Sequence, residues 1–386
     1  MQQLATGYIE GYYAKLLSWQ ERARIVKTLS GLKLNSYLYA PKEDAFHRVR
    51  WQIRYSRAWL RAYRNWIRTS AQAGINIIPA IAPGLSFDYC STSHYRKLLS
   101  KCASLLTPQT DTFALLMDDI DEHLPRPNAG NYSSLGRAHG VLLSRLRNDL
   151  SSTVTRPISL WFCPTIYCDQ MAGYDVANNT YLNDLQLSMP EDVSLLWTGT
   201  EVISPSLKPG DIRSISKLFG KQLIIWDNYY ANDYCPSKAI TGPYLDRSDS
   251  LVKHVKGILL NPAGLPQSDD LHLGLYARML DGAAPYSSWR QFLSSVEYGA
   301  DINKIAHWLR PFCKIDSLPN KITRPARQAL CRLIRTWKSP LLCEWYTGLY
   351  MLEIDIRLAD NSFPSRAQRD IFLAKKYSPF LRASLS

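Results

Sequence analysis

Two consecutive aspartates, Asp118 and Asp119, close the apolar run Phe113-Ala114-Leu115-Leu116-Met117. A run of that composition reads as a strand buried on both faces, and carboxylates at its end must be catalytic, metal-binding or strongly solvated. Alternation along a strand sends neighbouring side chains to opposite faces, but past the ladder both carboxylates can turn into one space. Two close carboxylates push their protonation apart, so that one stays ionised while the other holds a proton at neutral pH. Such a pair suits glycoside hydrolysis. The bland alternative is a solvated turn or helix cap. Oxygen ligands of this kind would also suit Mg²⁺ or Ca²⁺, but neither an EF-hand spacing nor a phosphate-binding loop accompanies them, so no metal and no cofactor is expected.

The elements that must position this pair recur along the chain. Short apolar runs at Tyr8 to Tyr13, Leu34 to Ala40, Asn76 to Ala82, Thr112 to Met117, Ile158 to Cys163, Ser194 to Thr198, Leu223 to Trp226 and Gly257 to Leu260 make eight candidate strands. Between them fall segments with helical spacing, at Trp19 to Leu29 and near residues 53–73, 92–105, 134–150, 208–219 and 269–281. Ser18 and Glu21 can cap the first helix reciprocally. Eight apolar strands alternating with helix-sized connections predict an α/β fold, a (β/α)₈ TIM barrel over residues 1–284. An open doubly wound sheet is the alternative, but no Gly-rich phosphate fingerprint follows the first strand.

A barrel of this kind gathers its chemistry at the C-terminal strand ends. There the sequence supplies Glu10-Gly11-Tyr12-Tyr13, Pro41-Lys42-Glu43-Asp44, Pro83-Gly84, Asp118-Asp119, Pro164-Thr165-Ile166-Tyr167, Thr198-Gly199, Trp226-Asp227-Asn228 with Asn232-Asp233, and Asn261-Pro262. Carboxylates, amides, one lysine and aromatic rings at one mouth are how a sugar is held. Several have plain structural readings. Gly11 would permit a tight turn, Lys42 would pair with Asp44, and Asn261 would cap a turn before Pro262. His47 and His123 read as structural hydrogen-bonders.

Taken in order, the motifs Gly7-Tyr8-Ile9-Glu10-Gly11-Tyr12-Tyr13, Tyr39-Ala40-Pro41-Lys42-Glu43-Asp44, Ala80-Ile81-Ala82-Pro83-Gly84, Leu116-Met117-Asp118-Asp119-Ile120, Phe162-Cys163-Pro164-Thr165, Trp226-Asp227-Asn228 and Asn261-Pro262 resemble the family 84 glycoside hydrolases, the O-GlcNAcase catalytic domain, over about residues 7 to 265. The resemblance implies a retaining β-N-acetylglucosaminidase whose nucleophile is the substrate's own 2-acetamido oxygen, with an oxazoline intermediate. On it, Asp118 orients the acetamide N–H and Asp119 is the general acid and base. Tyr167 meets the acetamido oxygen, Asn228 stands beside the acetamide and the scissile bond, and Trp226 walls the acetamido pocket. Gly11 and Lys42 lie near the 3-hydroxyl, and Asp233 and Asn261 hold the 4- and 6-hydroxyls. Two positions depart from the family's pattern, Ala14 for glycine and Glu43 for aspartate, and bear on affinity rather than activity. The aglycone stays open between a glycoprotein, a cell-wall fragment and an oligosaccharide such as chitobiose or hyaluronan. A carbohydrate-binding protein that has lost catalysis is the alternative reading.

The formal net charge of +13 is concentrated late: residues 285–386 hold 16 Lys+Arg against 8 Asp+Glu. Apolar spacing there predicts a helical domain over 285–386, with helices at Trp289 to Val296, Ile302 to Phe312, Ala326 to Trp337, Leu341 to Leu358 and Ala367 to Tyr377. No nucleic-acid motif accompanies the charge, so a solvated basic surface is favoured over nucleic-acid binding. The resemblance implies a possible homodimer through these helices. No apolar stretch approaches the roughly 20 residues of a membrane span, and the start Met1-Gln2-Gln3-Leu4 leaves no room for a signal peptide. Eight cysteines without a C-x-x-C pair read as reduced thiols, and the expected location is cytoplasmic.

Overall fold

The computed structural model describes residues 4–124, 131–311, 323–359 and 365–368. Eight parallel strands close into one barrel in sequence order: β1 (Ala5–Glu10), β2 (Ser36–Tyr39), β3 (Asn76–Ile81), β4 (Thr112–Leu116), β5 (Ser159–Cys163), β6 (Ser194–Trp197), β7 (Leu223–Asp227) and β8 (Val255–Leu260), with β8 pairing back onto β1. Among the described residues, seven α-helices lie between and after them: α1 (Trp19–Gly31), α2 (Arg57–Gln72), α3 (Thr92–Leu105), α4 (Leu135–Val154), α5 (Thr180–Ser188), α6 (Arg213–Phe219) and α7 (Pro266–Leu280). This is the (β/α)₈ TIM barrel. The Ser18 and Glu21 capping box that opens α1 is formed at both ends.

The barrel interior is filled by alternate residues of each strand, Ile9, Leu38, Ala40, Ile78, Ala80, Ala114, Leu116, Trp161, Cys163, Leu196, Ile224, Trp226 and Leu259 among them. Period-two alternation then dictates what reaches the mouth. One step past Ile9 is Gly11, past Ala40 is Lys42, past Leu116 is Asp118, past Trp226 is Asn228 and past Leu259 is Asn261. The opposite parity faces the helices. Glu10, wholly buried, accepts from Nε and Nη2 of Arg22 on α1 at 2.9 and 2.7 Å and from the Tyr37 hydroxyl at 2.7 Å. Asp227 likewise takes Arg247 at 3.1 and 2.9 Å together with the Tyr244 hydroxyl. These two strand-end carboxylates are structural.

Residues 234–243 belong to a second compact unit together with the helices that follow residue 285: the backbone N–H groups of Thr241 and Gly242 both donate to Leu309 O, at 2.9 and 3.1 Å. That second unit contains α8 (Pro285–Leu293), α9 (Gly299–Ile305), α10 (Arg324–Arg335) and α11 (Pro340–Ala359). Asp301 anchors it, accepting from Arg332 Nε and Nη2 at 2.8 and 2.7 Å and from Lys304 at 3.1 Å. The helix expected at Ala367 to Tyr377 lies almost wholly outside the described residues. No helix among the described residues is long and apolar enough to cross a membrane.

Candidate active site

Strand β4 ends at Leu116, so alternation alone would aim Asp118 inward and Asp119 away from the mouth. The backbone overrides this: Asp119 has φ +54°, in the left-handed region that Asp tolerates better than most residues. Its carboxylate is received at the mouth by Tyr13, whose hydroxyl donates to Oδ2 at 2.6 Å, and by Tyr167, whose hydroxyl donates to Oδ1 at 2.8 Å. Arg48 donates to the Asp119 carbonyl at 3.2 Å and lies over the Tyr13 ring. Asp118 is buried. Its Oδ2 is ion-paired with Lys42 Nζ, and its Oδ1 is buried with no hydrogen-bond partner among the described residues.

Lys42 therefore pairs with the aspartates, at 3.8 Å from Asp119 Oδ2, and not with Asp44. Asp44 is occupied by the Phe46 N–H and the Tyr55 hydroxyl at 2.8 and 2.9 Å. Electrostatically, burial pushes the Asp119 carboxyl up, but the Lys42 charge, the Tyr13 and Tyr167 hydroxyls and Arg48 together hold it below the usual carboxylate value. Asp119 is thereby held toward its ionised form. His47, behind Lys42, is wholly buried with Nδ1 on Ala80 O at 3.1 Å; burial, with the Lys42 charge adding, lowers it to about 3. It is a neutral structural group.

The far side of the mouth is one amide cluster. Asn228 Oδ1 accepts from Trp226 Nε1 at 2.8 Å and from Asn261 Nδ2 at 2.9 Å, while its own Nδ2 donates to Val202 O at 2.8 Å. Asn261 Oδ1 accepts the Gly11 N–H at 3.1 Å. Gly11 is glycine because of the Trp226 ring and not because of a turn: a Cβ there would lie 2.3 Å from Trp226 Cζ2, and its φ is not positive. Asn261 is bound to its neighbours and caps no turn before Pro262. Asp233, half-buried, accepts the Tyr13 N–H at 2.9 Å.

Lys42, Asp118, Asp119 and Tyr167 are thus joined by direct contacts, with Asp233 reached through Tyr13, while Gly11, Trp226, Asn228 and Asn261 form a second contact cluster at the strand ends. The sequence missed Tyr13 and Arg48 as partners of Asp119. For Tyr13 a signal existed, since Ile9, Gly11 and Tyr13 share parity, but the strand stops at Glu10 and the loop alone decides where Tyr13 goes. The two departures from the family pattern meet: the Ala14 N–H donates to Glu43 Oε1 at 2.8 Å, and Ala14 carries φ +62°. Cys163 and Cys168 are free thiols.

The sequence profile described as beta-N-acetylglucosaminidase matches residues 6–314. Over 256 residues the chain is 31% identical to the Protein O-GlcNAcase of Mus musculus, and equally to that of Rattus norvegicus; the match covers 66% of this chain and 28% of each relative. The chain thus spans well under half of those proteins. A solved mutant of the Thermobaculum terrenum O-GlcNAc hydrolase superposes with a TM-score of 0.74 at 27% identity, covering 93% of this chain and 78% of that one. Barrel, mouth and relatives together define a glycoside hydrolase. The chain belongs to the β-N-acetylglucosaminidase family, family 84 of the glycoside hydrolases.

Proposed function

We propose that the chain hydrolyses terminal β-linked N-acetylglucosamine with retention, using the substrate's acetamide as nucleophile. The observation that carries this reading is the pair of neighbouring aspartates in unlike surroundings. Asp118 is buried and clamped by Lys42, with one oxygen left over. A buried acceptor without a donor costs about 1–3 kcal/mol, and a substrate N–H would relieve it. As the acetamide oxygen attacks C1, positive charge grows on that N–H, and an adjacent carboxylate stabilises it. Tethering the nucleophile to the sugar makes the step intramolecular. Asp119, nearer solvent and addressed by two phenols, is suited to exchange protons, first to the leaving oxygen and then from the incoming water.

Binding would then reorganise the resting contacts. Tyr167 would turn its hydroxyl from Asp119 toward the acetamido oxygen, releasing one of the groups that keep Asp119 ionised. Lys42 and Gly11 would face the 3-hydroxyl, Asp233 and Asn261 the 4- and 6-hydroxyls, and Trp226 and Asn228 the acetamide. The relatives' names support a Ser/Thr-linked sugar on protein as the natural substrate. The test compares aryl β-N-acetylglucosaminide with aryl β-glucoside for the native chain and Asp118→Asn. The native chain is expected to cleave only the first efficiently, and Asp118→Asn to lose about 100-fold or more in kcat. Equal turnover of both sugars would remove the reading.

A further inference from the structure

Behind β4 and β5 runs a buried polar chain that none of the proposed site residues belongs to. Past the last ladder pair, Leu116 with Cys163, the Met117 N–H donates to Cys163 O at 2.9 Å, and the Thr165 hydroxyl donates to Met117 O at 2.8 Å. The Thr165 N–H donates to Tyr181 Oη on α5 at 2.9 Å, that hydroxyl lies 2.9 Å from His139 Nδ1 on α4, and His139 Nε2 lies 2.7 Å from Tyr89 Oη. Thr165 and His139 are 1% and 0% exposed. The helices are brought this close by two glycines: a Cβ on Gly136 would lie 2.1 Å from Tyr181 O, and one on Gly140 would lie 2.0 Å from Ser188 Oγ.

The hydrogen positions follow from satisfaction. Tyr181 Oη already accepts from Thr165, so its own proton goes to Nδ1, and the imidazole N–H is on Nε2, donating to Tyr89. The opposite tautomer would strand the Tyr181 hydroxyl proton in the core, whereas Tyr89 is the less buried end. Burial lowers His139 to about 3, so the ring stays neutral. The chain ends on a backbone N–H and so cannot pass a proton into the site. Its effect is geometric: Met117 immediately precedes Asp118 and Asp119, and Thr165 lies two residues before Tyr167.

We infer that His139 and Tyr181 are positioning residues, which through Thr165 set the relation between the two aspartates on one strand end and Tyr167 on the next. This rests on Asp119 being the acid and base. Tyr181→Phe removes one hydroxyl and keeps the ring, and Thr165→Val removes the bond to Met117 at constant volume, with Thr165→Ser as the conservative control. The measurements are kcat and KM on aryl β-N-acetylglucosaminides with good and poor leaving groups, and the pH profile of kcat/KM.

For Tyr181→Phe and Thr165→Val the expected result is a loss of about tenfold or more in kcat for the poor leaving group, little change in KM, and a smaller loss for the good one. The alkaline limb moves to higher pH, because a displaced Tyr167 no longer holds the Asp119 proton off, while the other groups facing Asp119, namely Lys42, Arg48, Tyr13 and Asp118, are untouched. Thr165→Ser should resemble the native chain. His139→Gln combined with Tyr181→Phe should be little worse than either alone, since they act as a unit. Native kinetics and an unmoved limb beside a lowered melting temperature would reduce the chain to a structural role and overturn the inference. Asp119→Asn is the control: if it cleaves poor leaving groups at the native rate, the reading of Asp119 itself has failed.

Discussion

At the level of single residues, two neighbouring aspartates are made different by what touches them. Asp119→Asn is expected to lose about 100-fold or more in kcat on poor leaving groups and much less on good ones, read from initial rates across an aryl series. Its resting charge is set by neighbours whose removal has a definite sign. Burial raises the carboxyl, and Lys42, Tyr13, Tyr167 and Arg48 lower it by more. Tyr13→Phe deletes one lowering contact, so the carboxyl keeps its proton to higher pH, and the alkaline limb of kcat/KM should move up. A limb that moves down, or stays, would show that another group controls it. The aspartates were legible because they end an apolar run. Tyr13 and Arg48 were not, because both reach Asp119 from beyond the strand ends, where strand parity no longer fixes a direction.

At the level of elements, strand positions were readable and their ends were not. Each strand is a short run buried on both faces, which is why all eight stand out. The first runs from Ala5 to Glu10 and not from Tyr8 to Tyr13, since the Gly11 N–H leaves the ladder for the Asn261 amide oxygen. Helix α5 was not legible: nine residues broken by Asn183, Asp184 and Gln186 carry too weak an apolar period, although Asn179 does cap it. Two substitutions test the local geometry. Ala14→Gly relieves a left-handed backbone and should stabilise the chain by about 0.5–1 kcal/mol in thermal or denaturant unfolding. Gly136→Ala would gain about 1 kcal/mol if helix propensity ruled. The contact with Tyr181 O predicts a net loss of about 1–3 kcal/mol instead.

At the level of the whole molecule, one α/β barrel was legible from eight repeats of one pattern, and the later helices from their apolar spacing. What the sequence could not reveal is that residues 234–243, lying between β7 and β8, pack with the later helices, because a ten-residue loop carries no signal of its partner. Within that helical unit the Arg332 hydrogen bonds, against a small burial effect and with Lys304 adding, lower Asp301 to about 2. Its folded value lies below the ordinary value near 4, so the stability it supplies is present above about pH 4 and is lost as pH falls toward 2. Asp301→Asn should therefore lower the melting temperature at pH 6 more than at pH 3.

In the proposed mechanism the nucleophile belongs to the substrate. The most direct test is kcat/KM on an aryl β-N-acetylglucosaminide against the same glycoside bearing an N-trifluoroacetyl group, which fills the same pocket with a far poorer nucleophile. A fall of about tenfold or more, with the aryl leaving group unchanged, is the predicted result. Equal rates on the two would contradict it and return the nucleophile to the protein.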